Sequence, residues 1–174
     1  DSSVGIVTAG SASHVTGNVL ADNEVGLSIG TTRSTYRANT VVDNEVGVRS
    51  TTTLPTNDVF ENDIVGNDRP VSPGLATLEQ WAVDGRGNYW GPVPGVDRDG
   101  DGVVDRAYDP TDAVDRSARH SPVANALAHS PAAKLFDQFQ GAAPGLRRPS
   151  VVDPAPLADP VAPDRLRTEN DSSA

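Results

Sequence analysis

Asn18-Val-Leu-Ala-Asp-Asn23, Asn39-Thr-Val-Val-Asp-Asn44 and Asn57-Asp-Val-Phe-Glu-Asn62 are three copies of one phrase, spaced 21 and then 18 residues apart. A period near 20 residues is that of one turn of a β-solenoid, in which each coil buries its apolar side only against a neighbour. Aligned on the first Asn of each phrase, Val15, Tyr36 and Leu54 form one column; Leu20, Val41 and Val59 form another; Val25, Val46 and Ile64 form a third. These bulky residues fall at the odd spacing that strands with one inward face require. Asn18, Asn23, Asn39, Asn44, Asn57 and Asn62 are predicted to be a structural ladder at the coil corners. Asn tolerates left-handed φ, and its amide can bond the next amide in a stack. Gly26 and Gly47 are predicted to turn the chain beside them. The fold class that follows is all-β, a parallel β-helix.

Composition narrows the function classes. Twenty-four acidic residues against 14 basic ones give a formal charge of −10, and Lys134 is the only lysine. Such a surface repels phosphate and excludes nucleic acid as a partner. It is the surface expected of a protein from a halophile, where salt screens self-repulsion. Two outward columns, Asp22/Asp43/Glu61 and Glu24/Glu45/Asp63, are read as solvated acidic faces. The chain has no cysteine, which removes disulfides and thiolate metal sites. It shows no apolar run long enough to span a membrane and no apolar leader. Its first residue, Asp1, falls just ahead of a strand. The expectation is therefore a fragment lacking N-terminal coils and any signal peptide.

Beyond the repeats, four regions are expected: β-helix coils over 1–83, a capping segment over 84–116, a helical segment over 117–141 and a Pro-rich extended or disordered tail over 142–174. Residues 67–80 read as a loop inserted into a coil, because Pro and Gly interrupt a ladder. Trp81-Ala-Val-Asp84 reads as the last strand, and Trp81 and Trp90 as a cover over the open coil end. Asp97-Arg-Asp99-Gly-Asp101-Gly102-Val103-Val-Asp105 carries carboxylates at positions 1, 3, 5 and 9 of a calcium-type loop, with Gly at 6. Asp97, Asp99, Asp101, the Val103 carbonyl and Asp105 are the expected ligands of a structural Ca2+. Position 12 is Tyr108, so Asp109 or Asp112 would have to supply the last oxygen. Ser130-Pro131 fits a helix start, with Leu135, Phe136 and Phe139 on one stripe and Gly141 as the stop. Those three apolar residues are the candidate partner-docking face, within an arm over 123–157. From Ala143 onward prolines recur with little to bury.

The stacked Asn-x-Val coils, Gly87-Asn88-Tyr89-Trp90 and the Asp97–Asp105 loop followed by Tyr108 resemble the NosD family. The ending from Ser130-Pro-Ala-Ala-Lys-Leu-Phe through Pro149-Ser-Val-Val-Asp153-Pro-Ala-Pro-Leu157 does so too, and the resemblance extends over nearly the whole chain. It implies a right-handed parallel β-helix of the pectate-lyase-like type, the C-terminal part of a periplasmic copper-binding protein. The implied role is accessory, in maturing the copper–sulfur centre of nitrous-oxide reductase. The implied partners are the membrane and ATPase subunits of an ABC transporter, and the reductase or a copper chaperone. The implied location is extracytoplasmic, in the periplasm or on the outer face of the cell membrane. Cu(I) wants thiolate, thioether or imidazole ligands, and the chain has no Cys, no Met and only His14, His120 and His129. Any copper site is thus expected in missing coils or shared with a partner, and this segment is read as a scaffold, not an enzyme. The competing class is a carbohydrate-binding or polysaccharide-processing β-helix. There Asp43 and Glu61, one coil apart at about 4.8 Å, would be the candidate carboxylate pair. No basic column stands beside them.

Overall fold

The computed structural model describes residues 2–54, 56–72, 75–111 and 150–170. Ten strands are described: β1 (Ser2–Ser11), β2 (His14–Thr16), β3 (Val19–Ala21), β4 (Asn23–Thr32), β5 (Thr35–Arg37), β6 (Thr40–Val42), β7 (Val46–Ser50), β8 (Asp58–Phe60), β9 (Asp63–Val65) and β10 (Arg69–Ser72). Every strand pairs in parallel, every third one with its predecessor, so the sheets run β1-β4-β7-β10, β2-β5-β8 and β3-β6-β9. This is a parallel β-helix of about three coils, as the repeats predict.

The register of the third coil differs from the one read off the phrase. Tyr36 pairs with Val59 and Val41 with Ile64, so Asn39 stacks on Asn62 and Asn44 on Asn67. The first coil step is 21 residues and the second is 23. The phrase is ambiguous because Asn62-Asp-Ile-Val-Gly-Asn67 fits it as well as Asn57 to Asn62, five residues earlier. Successive corners of one coil lie five residues apart, so matching by pattern slips the third coil by one corner. Leu54 is consequently exposed rather than stacked on Tyr36. The acidic columns change with it. Asp63 pairs with Thr40 inside β9, and Glu61 follows Ala38, whose amide donates to the Glu61 carbonyl. Residues 67–80 are likewise not an inserted loop throughout: Asn67 is a ladder residue and β10 extends the four-stranded sheet.

The corners turn on the residue before each Asn, not on the Asn itself. Gly17, Asp22, Ala38, Asp43, Glu61 and Gly66 all have φ between 50° and 74°, while Asn18, Asn23, Asn39, Asn44, Asn62 and Asn67 follow them. The Asn side chains then tie coil to coil. The Oδ1 of Asn39 accepts both the backbone N–H (3.2 Å) and the Nδ2–H (2.9 Å) of Asn18, and its own Nδ2 donates to the Val15 carbonyl (2.9 Å) and to Asn62 Oδ1 (3.0 Å). These donors and acceptors would otherwise be buried without partners. Gly26 and Gly47 do not turn the chain. A Cβ on Gly26 would lie 2.7 Å from Val41 Cγ1, and one on Gly47 would lie 2.5 Å from the Pro70 carbonyl. Glycine is needed there for close approach of the next coil.

The core is the stack of inward residues. Ile6, Leu27, Val48 and Val71 align in the four-stranded sheet, Val15, Tyr36 and Val59 in the second sheet, and Leu20, Val41 and Ile64 in the third. The buried Tyr36 hydroxyl satisfies itself between Thr8 Oγ1 and Thr31 Oγ1, both at 2.6 Å. Trp81-Ala-Val-Asp84 is not a strand. Gln80 and Tyr89 make isolated parallel bridges to Asp58 and Asp63, which lays residues 80–89 over the third coil as an incomplete fourth. Trp81, Trp90 and Tyr108 pack there with ring centroids 5.6 and 6.1 Å apart, joined to the core cluster.

The helix expected over 117–141 lies outside the described residues. The described residues include α1 (Pro163–Asn170), eight residues long, and a short 3-10 helix over Leu75–Leu78. The tail expected over 142–174 buries more than its prolines suggest: Val151, Asp153 and Leu157 are fully buried.

Candidate functional site

The acidic loop hangs from the cap between Trp90 and Tyr108. One carboxylate oxygen each from Asp97, Asp99 and Asp101 lies within 4.8 Å of the others, the only such His/Cys/Asp/Glu group among the described residues. Asp97 accepts the Gly100 and Gly102 amides at 2.7 and 2.9 Å. Those amides, Gly102 first, hold its carboxyl below the usual carboxylate range. Gly100 and Gly102 take the left-handed φ values (76° and 84°) that wrap the loop around Asp97. Asp101 accepts the Val103 amide, and Asp105 accepts the Arg98 amide. Asp109 is turned toward Thr111, accepting its amide and hydroxyl, and Asp112 lies outside the described residues. The spacing thus brings Asp97, Asp99 and Asp101 to one point but directs Asp109 to its own turn. Hard, exposed oxygens of this kind suit an alkaline-earth cation and not Cu(I).

Among the described residues no cluster of soft ligands is assembled. His14 is exposed on β2, beside Thr35 of the next coil; His120 and His129 lie outside the described residues, as do Leu135, Phe136 and Phe139. The alternative carboxylate pair fails on register. The Asp43 amide donates to Val65, one corner away from Glu61. Glu61 is committed to Arg37 and Arg86 at 2.5 and 2.7 Å. Burial raises its pKa, but the Arg86 and Arg37 guanidiniums overcome this and leave it lowered.

The second assembly was not legible as a site. Residues 150–162 form a strap that runs back across the cap. Tyr108 and Asp153 exchange both backbone bonds at 2.9 Å, Gly87 N–H reaches the Ala155 carbonyl at 2.7 Å, and Leu157 N–H reaches Asn88 O at 3.0 Å. The strap is pinned by two buried carboxylates. Asp63, on β9, accepts the Val161 and Ala162 amides at 2.7 and 2.8 Å. Asp153, on the strap, accepts the Asn88 amide at 2.7 Å and Trp90 Nε1–H at 2.8 Å through Oδ2, and the Ala155 amide at 3.0 Å through Oδ1. Burial pushes both carboxyls up, against the pull of those donors. Asp153 is the last rung of the ladder Asn18–Asn39–Asn62–Asn88. A carboxylate ends a second ladder as well: Asn57 Oδ1 accepts the Ser34 amide at 3.0 Å, and Asn57 Nδ2 donates to Glu79 Oε2 at 3.1 Å. The one cue in the sequence was Asp153 itself, an acid between apolar residues in a Pro-rich stretch.

These features define a class: a parallel β-helix with amide ladders, closed at its C-terminal end and carrying an exposed acidic loop. The chain belongs to the NosD family, whose description, "Periplasmic copper-binding protein (NosD)", matches residues 1–95. It is 38% identical over 113 residues to "Probable ABC transporter binding protein NosD" of Stutzerimonas stutzeri, covering 65% of this chain and 26% of that protein. It is 41% identical over 101 residues to the protein of the same name from Pseudomonas aeruginosa, covering 58% of this chain and 24% of that protein. The chain therefore spans about a quarter of the length of these relatives. The matches cover less of the chain than the resemblance read from its motifs, which ran on to Leu157. No described helix is long and apolar enough to cross a membrane.

Proposed function

We propose that this chain is a rigid scaffold within a NosD-type accessory protein, one that works with an ABC transporter outside the cytoplasm while the copper–sulfur centre of nitrous-oxide reductase is matured. The observation that carries the reading is the conjunction of family membership with a chain that has no Cys or Met. A segment with no thiolate or thioether donor and three scattered histidines is read as holding partners in place rather than as carrying Cu(I) by itself. The register separates Asp43 from Glu61, which removes the support for the glycosidic alternative, and the reading is of an accessory scaffold rather than an enzyme.

The partners in this reading are the transporter subunits and the reductase or a copper chaperone, with Leu135, Phe136 and Phe139 as the docking face. Residues 150–157 of the arm read from the sequence are committed to the cap, so the docking part shortens to 123–149. The test is co-purification with candidate transporter and reductase partners, comparing the full chain with a variant in which Leu135, Phe136 and Phe139 are all changed to Ser. Unchanged association refutes the docking face; tight stoichiometric Cu(I) binding by the chain alone refutes the scaffold. The acidic loop is, in the same reading, a structural divalent-cation loop that stiffens the segment between Trp90 and Tyr108, supported by its spacing and by the convergence of Asp97, Asp99 and Asp101.

A further inference from the structure

Strap residues 153–158 lie between two stretches of the cap rather than along its rim. On one side the Gly87 amide donates to Ala155 O at 2.7 Å and the Leu157 amide to Asn88 O at 3.0 Å. Residues 87–89 are themselves bonded to the third coil, where Gly87 O accepts the Glu61 amide at 2.6 Å and the Tyr89 amide donates to Asn62 O at 2.9 Å. On the other side the Val104 amide donates to Pro156 O at 2.8 Å and the Ala158 amide to Gly102 O at 3.0 Å, and antiparallel bridges join Val103 to Leu157 and Tyr108 to Asp153. The order is coil, residues 87–89, strap, and then the segment that carries Asp97, Asp99 and Asp101. Among the described residues, the backbone hydrogen bonds that leave 97–108 end on the strap, apart from that of the Asp105 amide to Val96 O at 3.2 Å. Tyr108 on Trp90 and Val104 beside Gly95 add side-chain contacts, both on the limb that follows the turn.

We propose that the strap is a latch that assembles the acidic loop: Asp97, Asp99 and Asp101 converge while residues 153–158 are seated, and drawing the strap off the cap takes them apart while the coils stand. Three carboxylates within 4.8 Å repel one another, so the turn needs a restraint from outside. Gly102 supplies the link, because its carbonyl is held by the Ala158 amide and its own amide by Asp97 at 2.9 Å. The dependence runs one way. Asp153 fastens the strap to Asn88 and Trp90, and Asp63 fastens it through Val161 and Ala162, with no residue of the loop involved. The loop's own fastenings, by contrast, run to the strap. The coils are held by their amide ladders, so opening at this end is local and does not reach them. The inference goes beyond the scaffold reading and rests neither on it nor on a cation in the loop.

The test is amide hydrogen exchange, resolved by residue with NMR on the full chain in the presence of chelator. Gly102 and Asp105 report the loop and donate to no strap residue. Asn88 and Leu157 report the seating of the strap, and Thr35 and Glu45 report the coils. In the wild type, Gly102 and Asp105 should be no better protected than Asn88 and Leu157, and Thr35 and Glu45 better protected than either pair. Leu157→Ser, which loosens a fully buried contact, should speed exchange at Asn88, Gly102 and Asp105 together by roughly tenfold and leave Thr35 and Glu45 unchanged. Asp97→Ala, which removes the acceptor of the turn, should speed Gly102 and leave Asn88 and Leu157 unchanged. The proposal is overturned if Gly102 and Asp105 are better protected than the strap in the wild type, or if Leu157→Ser speeds Asn88 without them. It is equally overturned if Asp97→Ala loosens the strap, or if the coil amides open with the strap, since the end is then one block and not a latch. The wild-type ranking decides even where Leu157→Ser does not fold.

Discussion

Replacing Asn67 by Ala tests the register of the third coil, because the sequence pattern places Asn67 in a loop and the structure places it in a ladder. Asn67 Oδ1 accepts the Asn44 backbone N–H at 3.0 Å and its Nδ2–H at 2.9 Å, and Asn67 Nδ2 donates to the Val41 carbonyl at 2.9 Å. Truncation leaves the buried Asn44 N–H without a partner, at a cost of about 1–3 kcal/mol, and removes the Val41 bond, worth about 1 kcal/mol net. Asn44 Nδ2 keeps the Leu20 and Val42 carbonyls and adds little. The sum is roughly 2–4 kcal/mol, or roughly 4–16 °C in melting temperature for a chain of this size. The neighbouring Asp68 is exposed, and Asp68→Ala should change stability by no more than about 0.5 kcal/mol. Urea and thermal unfolding followed by far-UV circular dichroism decide the matter. If Asn67→Ala behaves like Asp68→Ala, the 23-residue second step is wrong and the pattern-matched alignment stands.

Acidity should stabilise the fold in its upper carboxylate range. Asp63, Glu79 and Asp153 are all raised by burial. The folded state therefore holds protons that the unfolded state has released, and this contribution is present below the ordinary carboxylate pKa and lost as pH rises through the raised values. The melting temperature should climb as pH falls from 7 toward about 5, and Glu79→Gln should flatten that slope; a melting temperature that falls over the same range refutes it. Asp99→Asn with Asp101→Asn should lower the melting temperature in millimolar Ca2+ and leave it unchanged in chelator. The same loss in both media removes the cation from the account. Gly47→Ala meets backbone rather than a flexible side chain, so it should destabilise by about 1–3 kcal/mol; a neutral result by denaturant titration means the coils are not in close contact there.

How much of this was readable from the residues alone follows from what each signal encodes. Period-two apolar residues and repeated Asn fixed the architecture, because every coil must satisfy the same packing. The register of the third coil was not fixed, because corners recur every five residues and two lengths of coil satisfy the same phrase. The corner residues were misassigned by one position. Asn is both the left-handed residue of turns and the amide of ladders, and only coordinates separate the two roles. The convergence of Asp97, Asp99 and Asp101 was legible because the spacing of the three residues is local. The strap was not, since Asp153 meets Asn88 and Trp90 across 65 and 63 residues and no local pattern announces such a pairing.

The choice of acid at the two ladder ends yields a sharper contrast than burial alone. Asp153 and Glu79 are both buried carboxylates that finish a ladder, yet their amide replacements should differ. Around Asp153 the partners are committed donors on both oxygens: two N–H groups on Oδ2 and the Ala155 amide on Oδ1. In Asp153→Asn one oxygen becomes an NH2 facing an N–H, whichever way the amide is flipped. At least one donor is orphaned, the part-buried Ala155 amide in the better flip, at a cost of about 1–3 kcal/mol. Around Glu79, Oε1 faces the Ser50 hydroxyl at 2.6 Å and Oε2 faces Asn57. A hydroxyl can rotate to accept, so Glu79→Gln keeps both contacts and should cost no more than about 1 kcal/mol. Burial treats the two sites alike; donor bookkeeping separates them. Equal losses in chemical denaturation would show that charge burial, and not the direction of the hydrogen bonds, decides where a carboxylate may end the stack.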